Sequence, residues 1–116
     1  MKKSKIRKPF CKTYIHFLRY LDTLTIKRRN ILLSKIASDN EINTIIELFY
    51  NFLNYNIQCD KKTLNSLKKH SKYIKNIIKK SIPISKKRLL LISHKGRITL
   101  SKILKLALPI LKNIFI

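Results

Sequence analysis

The stretch SDNEINTIIELFYNFLN, running from Ser38 to Asn54, decides the fold class. Its first four residues, Ser38-Asp39-Asn40-Glu41, form a capping box. The serine hydroxyl accepts from the backbone three residues on, and the glutamate reaches back to the serine amide. Asp39 and Glu41 also sit in the first turn, where the helix dipole favours negative charge. Behind the box, Ile42, Ile45, Ile46, Leu48, Phe49, Phe52 and Leu53 cover more than one face. A helix apolar on that much of its surface belongs in the middle of a bundle. The spacing therefore predicts a central helix from about Ser38 to Asn54, ended by Asn54-Tyr55-Asn56.

Working outward, the same periodicity predicts helices on both sides. Tyr14, Ile15, Phe17, Leu18, Leu21 and Leu24 mark a first helix from Thr13. Thr25 caps a second through about Ala37, with Ile26, Leu32, Leu33 and Ile36 inward and Lys27-Arg28-Arg29 outward. Asp60 or Thr63 opens a fourth, reaching about Lys80. Ile82-Pro83-Ile84 is an extended link. Ser85 then caps a fifth helix from Lys86 to about His94, closed by Gly96. Thr99 caps a last segment, Leu100 to Ile116, which Pro109 should kink. One glycine and three prolines leave little material for turns. The fold class expected is all-α. It is a compact bundle of about five to six short helices, with a basic N-terminal arm and an apolar C-terminal helix. The division expected is an arm over 1–12, a helical domain over 13–96 and the apolar cationic helix over 97–116. The arm holds Lys2, Lys3, Lys5, Arg7, Lys8 and Lys12, with Pro9 discouraging a helix.

The charge is as uneven as the fold is regular. Of 116 residues, 27 are Lys or Arg and five are Asp or Glu, giving a net charge of +22. All five acids (Asp22, Asp39, Glu41, Glu47 and Asp60) precede Lys61, and the remaining 56 residues hold 16 cations. A folded surface normally mixes signs to limit self-repulsion. A one-signed half suits a polyanionic partner that neutralises it. With 45% hydrophobic residues the chain can nevertheless build a core, unlike a disordered polycation.

Drawn on a wheel from Leu64, the apolar residues Leu67, Ile74, Ile77 and Ile78 fall between roughly 220° and 320°. Lys61, Lys62, Lys68, Lys69, Lys72, Lys75, Lys79 and Lys80 fall between roughly 20° and 160°. A merely solvated face alternates signs at i, i+4, and here no acid interrupts the lysines. With Lys86, Lys87 and Arg88 beyond them, these are the candidate phosphate-binding residues. Lysine meets phosphate as a point charge and lacks the fork that reads guanine, so the expectation is contact without base sequence. The expected partner is double-stranded DNA, gripped through its backbone.

Enzymatic chemistry finds no support. His16, His70 and His94 share no i, i+3 or i, i+4 step, so no metal site is expected. Cys11 and Cys59 match no zinc or redox spacing. There are no paired carboxylates, phosphate-binding glycine loop or nucleophile elbow. No catalytic residue and no cofactor is expected. The tyrosines read as core or boundary residues, Tyr73 alone bordering the lysine stripe. The Leu100–Ile116 segment is too short and too charged for a simple transmembrane helix. It reads as packing or self-association first, with an anionic membrane as the alternative.

Several of these segments together carry a resemblance. They are Ile31-Leu32-Leu33 through Ala37-Ser38, Leu67-Lys68-Lys69-His70, and Ile84-Ser85-Lys86-Lys87-Arg88-Leu89-Leu90 followed by Lys95-Gly96. Their order and spacing, from about Leu21 to Leu111, resemble the small basic proteins of Polinton (Maverick) elements and adintoviruses, which are compared with adenovirus core proteins. The tail departs from that pattern. It runs Lys95-Gly96-Arg97-Ile98-Thr99-Leu100, where the relatives open with paired glycines and Phe-Leu-Pro. The resemblance implies a virion core protein that packages DNA, located in the virion and at the host nucleus or a cytoplasmic replication site. The other classes to weigh are a membrane-active or capsid-bridging minor virion protein working through the C-terminal helix, and an RNA-binding protein.

Overall fold

In a computed structural model, residues 8–53 and 61–115 are described, with side chains at 15–53, 61–62, 65–66 and 68–109. The chain is all-α. Helix α1 (Lys8–Thr23) is followed by α2 (Ile26–Ile31), which runs into a π-helical turn over Leu32–Ile36. Then come α3 (Asp39–Leu53), α4 (Lys61–Lys68), α5 (Ser71–Ile77), α6 (Ile84–Ile92) and α7 (His94–Phe115). There is no strand among the described residues.

The capping box is present in both directions. Glu41 N–H donates to Ser38 Oγ at 3.1 Å, and Ser38 N–H donates to Glu41 Oε1 at 2.8 Å. Helix α3 buries Ile42, Ile45, Ile46, Leu48, Phe49 and Phe52, and on its flank Thr44 and Asn51. That is more than half its circumference, and it packs against α1, α5 and α6. Thr44 Oγ1 donates back to Asn40 O at 2.9 Å, so its burial leaves that hydroxyl satisfied.

Helix α7 supplies the other half of the core. Leu100, Ile103, Leu104 and Ala107 are all fully buried and recur at i, i+3, i+4, i+7. This stripe packs on α1, which buries Ile15, Leu18 and Leu21, and on α6. The apolar tail is thus part of the same core as the rest of the bundle, through at least Ala107.

The structure corrects the expected boundaries at several points. Helix α1 starts at Lys8, before the expected Thr13, and Pro9 falls in its first turn, where a missing amide costs nothing. Met1–Arg7, Cys59, the Asn54-Tyr55-Asn56 terminator and the Asp60 start lie outside the described residues. Thr25 does cap α2, accepting from Arg28 N–H at 3.3 Å. Of Ile26, Leu32, Leu33 and Ile36, expected inward, however, only Leu33 is fully inside. Ile36 is 67% exposed, and Ile26 and Ile31 also face solvent. At Ile36 the π turn is the cause. Ala37 N–H reaches five residues back to Leu32 O at 2.7 Å, and the wider turn shifts later residues off the helical register.

Arg29, expected outward, is 4% exposed. Its Nε and Nη2 donate to Leu21 O at 3.2 and 3.0 Å, and Nη1 donates to Ser101 Oγ at 2.8 Å. A buried cation thus closes the C-terminal end of α1, where the dipole welcomes positive charge, and ties it to α7. Burial pulls its guanidinium below the ordinary range, and nearby Asp22 partly opposes this.

Neither Gly96 nor Thr99 plays its expected part. Helix α6 begins at Ile84 after Pro83 and ends at Ile92, and α7 begins at His94, so Gly96 lies inside α7. Ser93 makes the junction. Its Oγ accepts from Gly96 N–H at 3.1 Å and donates to Leu90 O at 2.6 Å. Gly96 is required here for proximity. A Cβ at this position would collide with Leu90 O and come within 2.7 Å of both Leu91 O and Tyr73 Oη. Thr99 is fully buried in α7 and bonds to His70. Helix α7 continues through Pro109 to Phe115.

Gly96→Ala should therefore destabilise the fold by about 1–3 kcal/mol, the usual cost of overpacking. Urea unfolding followed by circular dichroism measures it. A loss under about 0.5 kcal/mol, typical of an uninvolved surface position, would contradict the close approach.

Candidate nucleic-acid interface

The expected continuous fourth helix is two helices. It breaks at Lys69-His70, because His70 turns inward at the start of α5. His70 is 5% exposed, and its Nδ1 lies 2.8 Å from Thr99 Oγ1 on α7. The break leaves the lysine stripe in solvent. Lys61, Lys62, Lys68, Lys69, Lys72, Lys75, Lys79 and Lys80 are all exposed. Lys79 and Lys80 follow the end of α5 at Ile77, in the turn that leads to Pro83.

Four of these lysines converge. Lys69, Lys72, Lys75 and Lys79 line an open cleft of about 700 Å³ with Asn76, Tyr73 and, from α7, Lys95. Tyr73 is fixed in place. Its hydroxyl donates to Leu90 O at 2.8 Å, and its ring meets Phe49 edge-on at 6.3 Å and 64°. Burial pushes this phenol well above its ordinary range. Tyr73 is thus held by the fold, in keeping with a boundary role and not a base-stacking one. No acid lines the cleft. Among the described residues the acids lie on α1 and α3, with Asp39 paired to Arg88 and Glu41 engaged in the capping box.

The Lys86-Lys87-Arg88 step divides. Lys86 is exposed. Lys87 is only 7% exposed, and burial pulls its ammonium below the ordinary range. Arg88 donates to Leu33 O at 3.0 Å and pairs with Asp39 Oδ1 at 2.8 Å, bolting α6 to the π turn and to the start of α3. As expected phosphate ligands, Lys87 and Arg88 are corrected to packing residues. Three adjacent cations stand in the first turns of α6, but any helix that packs must turn some of its consecutive residues inward.

Lys95 and Lys102 were missed. Neither lies on the acid-free wheel of 61–80, and only the tertiary fold brings them to it. Lys102 Nζ donates to Ser66 Oγ on α4 at 2.8 Å. The one signal for Lys95 was its neighbour Gly96, a residue that lets backbones approach closely. The combined field registers at His70, whose imidazole is held below its ordinary range first by burial, then by Lys95, Lys102 and Lys69. No group of His, Cys, Asp or Glu that could hold a metal occurs among the described residues. No helix among them is long and apolar enough to cross a membrane.

No protein-family model matches the chain, and no curated protein or solved structure is significantly similar to it.

The lowered His70 pKa carries a sign. The unfolded chain binds this proton near pH 6.5 and the folded chain only at lower pH, so stability is full above 6.5 and falls as pH drops below it. Unfolding free energy should decrease from pH 7.5 to 5.5, and His70→Gln should flatten that slope. A wild-type slope that survives the substitution unchanged would assign the effect to other groups.

Proposed function

We propose that the chain is a non-enzymatic, sequence-nonspecific nucleic-acid-binding protein that grips the phosphate backbone of double-stranded DNA and condenses it. One observation carries the reading. Five lysines from two separate elements, Lys69, Lys72, Lys75, Lys79 and Lys95, line a single cleft that contains no acid. Ammonium groups gathered on one cleft gain most from a ligand that is itself a chain of regularly spaced anions. Binding releases the counterions condensed on that chain. Lysine supplies charge without the planar fork of arginine, which favours backbone contact over base readout. Two of the arginines, Arg29 and Arg88, are occupied inside the protein.

The resemblance to Polinton and adintovirus core-type proteins supports the same reading and extends it to a virion core protein. The membrane alternative draws less support. The apolar stripe of α7 that would meet lipid is already in the core at Leu100, Ile103, Leu104 and Ala107.

Binding to a 20-base-pair duplex should show a slope of log K against log salt of about −4.5 or steeper, as five phosphate contacts require. Lys72→Gln/Lys75→Gln should bring the slope closer to zero by about 2, uniformly across duplex sequences. A near-flat wild-type slope would overturn the proposal. Preference for a structured RNA over duplex DNA in competition would redirect it to RNA.

A further inference from the structure

One buried titratable group lies among the cations of the interface. His70 is 5% exposed, and its Nδ1 meets Thr99 Oγ1 at 2.8 Å. Both partners neighbour residues of the lysine cleft. Lys69 directly precedes His70, and Lys95 precedes Thr99 by about one turn of α7. Both lysines line the cleft. Lys102 lies two turns beyond Lys95, on the same face of α7, and donates to Ser66 of α4. Lys69 from His70's own turn, with Lys95 and Lys102 from α7, are the charged groups that act on its ring among the described residues. None of them is an acid.

This arrangement makes one site sensitive to the other. A proton on His70 is a buried positive charge beside three ammonium groups. Burial first, and then the three lysines, keep the imidazole neutral in the free protein. A phosphate backbone in the cleft offsets the charge of Lys69 and Lys95 and so removes part of that opposition. The Thr99 hydroxyl can donate to a bare Nδ1 or accept from Nδ1–H, so the pair can bond in either protonation state. The contact that ties the α4–α5 break to α7 therefore tolerates the change.

We propose that His70 is a proton site linked to the lysine cleft: nucleic acid bound in the cleft draws a proton onto the buried imidazole, and acid in turn tightens the cleft's hold on nucleic acid. The inference rests on the proposed backbone-binding function and adds a regulator to it. The linkage is reciprocal, since each ligand changes the affinity for the other by the same factor. Bound His70 takes its proton at higher pH than free His70, so affinity grows as pH falls between the two values and is lowest at neutral and higher pH. The destabilisation of the free fold by acid is also reduced when the cleft is filled.

Two measurements on the full chain, at fixed low salt, test this. At pH 6.5 the ring-carbon resonance of His70 reads its protonated fraction, which a 20-base-pair duplex should raise. Anisotropy should show affinity for that duplex rising about threefold from pH 7.5 to 6.0, within the tenfold per pH unit that one proton allows. His70→Gln, with its fold checked by circular dichroism, should still bind at pH 7.5 and lose most of the rise. If that variant misfolds, the resonance of the wild type decides alone. A protonated fraction that stays level or falls with duplex overturns the inference and leaves the proposed function standing. So does a folded His70→Gln that tightens as much as wild type. Failure of wild type to bind the duplex at either pH overturns both.

Discussion

The fold and the candidate interface both depend on how closely α7 approaches the end of α6 at Gly96. The C-terminal carbonyls of α6 need partners. Leu90 O receives two, from Tyr73 Oη and Ser93 Oγ, and a side chain at position 96 would occupy the same space. Three helices thus meet at one carbonyl. Tyr73 fixes α5 there, and Ser93 fixes the turn into α7. The residue before Gly96, Lys95, is brought to the same cleft as Lys72 and Lys75 of α5 as a direct result. The cleft is a by-product of that close approach.

A chain with a net charge of +22 must fold against its own repulsion. It does so by dividing its cations between two tasks. Arg29 and Arg88 are internal fasteners, each spanning elements distant in sequence and each donating to a backbone carbonyl at the end of a helical segment. The guanidinium suits this work because it is weakly hydrated and donates in several directions. The lysines, strongly hydrated, remain in water among the described residues with one exception. That exception is Lys87, whose lowered pKa marks the cost of its burial. This division leaves the acid-free surface intact while the core closes beneath it.

Much of this was legible in the sequence, and the failures share a cause. The capping box, the Thr25 cap, the central place of α3 and the apolar stripe of α7 follow from local chemistry and from a 3.6-residue period. Both are written in consecutive residues. The lysine face was legible for the same reason. Periodicity failed where the backbone left the ideal helix, as at the π turn that sends Ile36 outward, or at His70, where a long-range bond to Thr99 breaks a helix that the pattern continues. It also failed where identity misleads about direction, since nothing local distinguishes buried Arg29 from exposed Arg28. Lys95 was invisible on any wheel because its cleft is built from helices far apart in the chain. Gly96, read as a terminator, was punctuation of another kind, a place where two backbones nearly touch.

The most direct test of the central claim is lysine footprinting. Acetylation rates can be followed residue by residue by mass spectrometry, with and without duplex DNA at low salt. The account predicts protection concentrated at Lys69, Lys72, Lys75, Lys79, Lys95 and Lys102. It predicts little change at Lys35, which is exposed on the π turn and does not line the cleft. Protection of Lys35 equal to that of the cleft lysines would mean that the charge acts in bulk, and would contradict a shaped phosphate-binding surface.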